Sequence, residues 1–105
     1  MKKDVFQAIA EPKRRAILEL LVEQSLTINS IAEHFDISRP AISKHIKILT
    51  ESELVVIHQR GRERYCEVQP KKLDEVADWI TQYQQVYEAR FKRLDALLDE
   101  LQNKE

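Results

Sequence analysis

The chain has 105 residues and carries 17 Lys/Arg against 18 Asp/Glu, a formal net charge of −1 at neutral pH. With 43% hydrophobic and 33% charged residues it is too apolar for a disordered chain, and its length suits one domain with one modest core. The only glycine, Gly61, excludes Gly-rich phosphate loops; the only cysteine, Cys66, excludes an intrachain disulfide framework and a cysteine-rich zinc site.

The longest unbroken apolar run, Leu54-Val55-Val56-Ile57, offers neither a membrane span nor a signal-peptide core, so membrane insertion is not expected and a reducing cytosol is. The near-neutral sum hides an asymmetry. Residues 1–64 carry 11 Lys/Arg against 9 Asp/Glu, and residues 65–105 carry 6 against 9. Between Ser38 and Arg64 there are six basic and three acidic residues. Phosphate binding depends on such local surfaces rather than on the whole-chain charge.

Pro12, Pro40 and Pro70 each stand just before or inside the first turn of a helical pattern, where a missing N–H costs little. Val5-Phe6 with Ile9 form a short amphipathic turn. After Pro12, Ala16, Ile17, Leu20 and Leu21 recur at helical spacing. Thr27 is a candidate N-cap for a short helix turning Ile28, Ile31 and Phe35 inward. Asp36-Ile37-Ser38 form a tight connection. Ser38 caps a helix over 38–51 that buries Ile42, Ile46 and Leu49. Two short helices so joined predict a helix-turn-helix.

Over 55–69 the period becomes strand-like, with β-branched Val55, Val56, Ile57 and Val68 on either side of Arg60-Gly61-Arg62, which predicts a hairpin. A long helix follows Pro70. Leu73, Ile80, Tyr87, Leu94 and Leu101 recur every seven residues, and Ala77, Phe91 and Leu98 widen the stripe. Roughly 30 helical residues reach about 45 Å, further than so small a core extends. The expectation is one domain over 1–105, with a core and hairpin in 1–70 and a C-terminal helix in 71–105 that joins two copies. Val5, Phe6 and Ile9 are its expected companions at that interface.

With Ile42, Ile46 and Leu49 inward, Pro40, Ser43, Lys44 and Lys47 fall on the opposite face of the helix over 38–51, and Arg39 flanks its start. Small and basic residues on an exposed helix suit a major groove, where they can meet base edges and phosphates. A solvated face is the alternative. Arg60, Arg62 and Arg64 alternate and are expected to project on one side, a basic prong for phosphates or a narrow minor groove; a solubilising tip is the alternative.

The run from Asp36 to Leu49, followed by Leu54-Val55 and Gly61-Arg62-Glu63-Arg64-Tyr65, resembles the ArsR family of winged helix-turn-helix repressors. Glu11 to Leu21, with Pro12, Arg14, Arg15, Ile17, Leu18 and Leu21, resembles that family's second helix. Trp79 and Arg93-Leu94-Asp95 before Leu98 look like its metal-independent SdpR-like branch. The resemblance implies a mostly α winged helix-turn-helix with a small β-hairpin and a long C-terminal dimerisation helix. It implies a homodimer on double-stranded DNA, usually a repressor, with helix 38–51 in the major groove and Arg39, Pro40, Ser43 and Lys44 at the reading positions.

The paired cysteines of the family's third-helix metal site align with Thr27 and Asn29, and no histidine follows His58 for a site on the last helix. His34, His45 and His58 lack short ligand spacing, so neither a metal nor another cofactor is expected. Arg14 and Arg15 suit a phosphate or a salt bridge equally. No nucleophile elbow, HExxH pattern or nucleotide loop is present, which argues against an enzyme. The rival reading is a winged-helix interaction module whose last helix binds another protein. An effector is left open.

Overall fold

The computed structural model describes residues 4–103. The elements run α1 (Val5–Ala10), α2 (Pro12–Glu23), β1 (Leu26–Thr27), α3 (Ile28–Glu33), α4 (Arg39–Glu51), β2 (Val55–Arg60), β3 (Glu63–Val68), a 3-10 turn (Pro70–Lys72) and α5 (Leu73–Asn103). The fold is a winged helix-turn-helix: α3 and α4 form the paired helices, and β2–β3 form the wing. The chain divides into two compact units, one ending at Asp74 and one starting at Glu75.

In the first unit each helix begins where the sequence supplies an acceptor for its unpaired N–H groups. Asp4 accepts from the Phe6 amide, Glu11 from Lys13, Thr27 from Ser30 and Ser38 from Ala41. Pro12 and Pro40 sit in first turns, where no donor is lost. Ile17, Leu18 and Leu21 of α2, Ile31 of α3, and Ile42, Ile46 and Leu49 of α4 meet Leu54, Val55 and Cys66 in one core. The α2 stripe is therefore centred on Ile17 and Leu18, with Ala16 and Leu20 at its margins. Helix α3 stops at Glu33, so Phe35 belongs to the connection rather than to the helix.

Helix α4 ends in a Schellman motif. The Leu54 amide donates to the Leu49 carbonyl at 2.9 Å and the Glu53 amide to Thr50 at 3.0 Å. Glu53 takes φ 65, a left-handed conformation that costs a non-glycine residue about 1 kcal/mol. Full burial of Leu49 and Leu54 on either side of it holds the turn.

The wing strands pair antiparallel from Val55↔Val68 to Arg60↔Glu63. Gly61 has φ 63 at the first turn position and Arg62 has no positive φ, as in a type II′ turn. A third strand was not expected from the sequence: β1 pairs with β3 through Leu26↔Cys66 and Thr27↔Tyr65, giving the order β1-β3-β2.

The second unit is helical throughout its described length and buries no residue. Trp79, Tyr83, Tyr87, Phe91, Leu94, Leu98 and Leu101 are all exposed in the single chain. No helix among the described residues is long and apolar enough to cross a membrane.

Candidate nucleic-acid interface

Complete burial of Ile42 and Leu49, with Ile46 at 2% exposure, fixes the rotation of α4 about its axis. Arg39, Pro40, Lys44 and Lys47 are consequently exposed, and Ser43 is half-buried between them. Among the described residues neither lysine forms an ion pair, so both are available to an external anion. Arg39 stands in the first turn and donates from Nε to the Asn29 Oδ1 of α3.

The wing departs from the sequence expectation. Alternation predicts Arg60, Arg62 and Arg64 on one side, but the chain reverses at Gly61-Arg62, and counting by twos fails across a reversal. Partners directly opposite in a ladder share a face. Arg60 lies opposite Glu63 and Arg64 opposite Gln59, so Arg60 and Arg64 project from opposite faces.

Arg60 lies over the Tyr65 ring, 5.4 Å from its centroid. The Tyr65 hydroxyl donates to Glu63 Oε2 at 2.9 Å, and that bond is the main cause raising the phenol above its ordinary pKa. Arg62 and Arg64 instead line a cleft of about 310 Å³ with Thr27, Ile28, Asn29, Glu63 and Arg39. Three arginines thus converge between the wing and the start of α4, with Glu63 the acid among them.

Among the described residues Arg14 and Arg15 form no salt bridge; both side chains are held by backbone carbonyls. Arg14 donates from Nε to the Ala8 carbonyl at 2.6 Å and from Nη2 to Gln7 at 3.1 Å. Arg15 Nη1 donates to Ile9 at 2.7 Å and Ala10 at 3.3 Å. Both guanidinium groups therefore satisfy the last carbonyls of α1, where positive charge is favoured.

Arg14 Nη1 also meets His45 Nδ1 at 3.4 Å. Guanidinium can only donate, so Nδ1 accepts and the imidazole carries its proton on Nε2. His45 thereby ties α4 to α2. Burial, and then the Arg14 charge, hold its pKa below the ordinary 6.5; Lys13 lowers it further and Glu11 opposes. A depressed histidine pKa means that the folded chain binds fewer protons than the unfolded one. Its contribution is complete above pH 6.5 and is lost as pH falls through the lower folded value. His45→Gln keeps an acceptor and removes the titration. Urea midpoints followed from pH 7.5 to 5 should therefore fall more steeply for the parent than for this variant. Parallel profiles would show that His45 titrates as in the unfolded chain.

The remaining histidines also have local partners: His34 Nδ1 meets the Ser30 carbonyl at 2.8 Å and His58 Nε2 meets Glu67 Oε2 at 2.9 Å. Among the described residues no three His, Cys, Asp or Glu side chains converge as a metal would require. Cys66 is fully buried, and burial pushes its thiol pKa up, as for a small apolar strand residue.

One interface expectation needs correction. Val5 is 3% exposed and belongs to the chain's own core, so it has no surface left for a partner; Phe6 and Ile9 are only partly covered.

A helix-turn-helix with its basic face exposed and a wing beside it is the architecture of DNA-binding regulators. Residues 11–56 match the arsR family of bacterial regulatory proteins. The chain is 39% identical over 80 residues to the transcriptional repressor SdpR of Bacillus subtilis, which covers 76% of this chain and 89% of that one. Among solved structures it is similar to the ArsR family transcriptional regulator RHA00566, with TM-score 0.70 and 35% identity over 79% of this chain and 91% of that chain. An ArsR-like regulator from Rhodococcus sp. RHA1 also gives TM-score 0.70, at 26% identity over 89% of this chain and 88% of that chain. The chain belongs to the ArsR family, whose members are transcriptional regulators and not enzymes.

Proposed function

We propose that the protein is a homodimeric transcriptional repressor acting in the cytoplasm on a pseudo-palindromic operator. Each copy lays α4 in one major groove, with half-sites about one helical turn apart. The orientation of α4 carries this reading: its apolar side is wholly buried while Arg39, Pro40, Lys44 and Lys47 stay exposed. Arg39, Ser43 and Lys44 read bases, Pro40 permits close approach, and Lys47 holds phosphate. Arg62 and Arg64 extend the same basic surface from the wing, and Arg60 meets phosphate from the other face of the hairpin. The name of the Bacillus relative, a transcriptional repressor, supports the direction of regulation.

Fluorescence anisotropy on a selected duplex tests the assignment. Arg39→Ala and Lys44→Ala should weaken specific binding without lowering the thermal midpoint, because neither side chain enters the core. Arg39→Ala should also relax preference at one base pair per half-site, by about 1–3 kcal/mol. Unchanged affinity and preference in both variants would remove α4 from the reading role.

A further inference from the structure

The Arg39–Asn29 hydrogen bond has no part in the core, in a helix cap or in the sheet. Asn29 is the second residue of α3, and Arg39 opens α4 ten positions later; both side chains are exposed. The position of Asn29 is itself fixed. Thr27 caps α3 by accepting from the Ser30 amide at 3.1 Å, and its backbone is paired with Tyr65 of the wing. A chain of contacts therefore runs from β3 through Thr27 and α3 to the guanidinium of Arg39.

An arginine has five N–H donors, and occupation of Nε leaves the four on the two η nitrogens. Those form the fork that grips guanine O6 and N7. We infer that Asn29, a residue outside the recognition helix, is a specificity-determining positioning residue: it holds Arg39 by Nε so that the η fork is presented to one base pair. The inference rests on the reading that Arg39 contacts a base. A long exposed arginine otherwise spreads over many rotamers and can settle on a neighbouring phosphate, which carries no sequence information.

The test begins with a duplex selected from random DNA by the parent protein. Relative affinities for each single base-pair change are then measured for the parent, Asn29→Ala, Asn29→Asp, Arg39→Ala and the Asn29→Ala/Arg39→Ala double variant. Arg39→Ala should abolish preference at one position per half-site. Asn29→Ala should lower preference at that position about three- to tenfold, the worth of one hydrogen bond, and leave the other positions unchanged. Asn29→Asp keeps the acceptor and should restore most of the preference. In the Arg39→Ala background, Asn29→Ala should add nothing.

The inference is overturned if Arg39→Ala abolishes the preference while Asn29→Ala leaves it intact or weakens all sequences alike. It is equally overturned if the effect of Asn29→Ala persists without Arg39. An Arg39→Ala protein with undiminished base preference would overturn the underlying reading of Arg39, and the inference with it.

Discussion

Leu94→Glu combined with Leu98→Glu should convert the protein from a dimer to a monomer and abolish tight operator binding. Leu94 and Leu98 are 49% and 47% exposed in the single chain, on a helix that buries none of its residues. Full burial of one leucine is worth about 1.5–3 kcal/mol, so covering the exposed half of four leucines in two copies contributes roughly 4 kcal/mol. Its loss is about three decades in the dimer dissociation constant, before the cost of confronting carboxylates is added. A monomer presents one recognition helix and forfeits the second half-site, so operator affinity should fall by at least about two decades. Sedimentation velocity at micromolar concentration checks the assembly and anisotropy checks the binding. A parent protein that sediments as a monomer would assign the stripe to a different partner, and a variant that still dimerises would place the interface elsewhere.

Leu49→Ala should be the most damaging of the small changes on α4. Leu49 is fully buried, and its carbonyl receives the amide that closes the Schellman turn before the wing. Removing a buried leucine side chain costs about 2–5 kcal/mol, much of the stability of a domain this small. Urea unfolding at fixed protein concentration should show a large drop in midpoint for Leu49→Ala and almost none for Lys44→Ala, which lies on the exposed face of the same helix. A loss below about 1 kcal/mol would mean that α4 is not anchored by this stripe.

The same periodicity made α4 legible in advance. Ser38 as cap, Pro40 in the first turn and Ile42, Ile46 and Leu49 at helical spacing all favour one helix in one rotation, and the structure has that helix. The hairpin was legible because Gly61 alone relieves the positive φ of its turn. What sequence periodicity could not show depends on contacts between distant segments. Strand β1 is two residues long and exists because β3 offers it an edge. Alternation puts the wing arginines on one side, but that rule holds within a strand and fails across a reversal. The burial of Val5 comes from the surrounding fold and not from its spacing, so the sequence alone does not show it. The acceptors of Arg14 and Arg15 are backbone carbonyls, which side-chain patterns do not register. Asn29 stands out in the sequence only as the counterpart of a family metal-site cysteine, and no pattern in the chain links it to a residue ten positions on.

Two copies that read DNA with α4 should select a site with their own two-fold symmetry. Selection of bound duplexes from a random library by the full-length protein, followed by sequencing, tests it most directly. The expected result is an enriched pseudo-palindrome whose half-site centres lie about 10–10.5 base pairs apart, or at a multiple of that spacing. No enrichment over the starting library, or enrichment of a single asymmetric half-site, would contradict it.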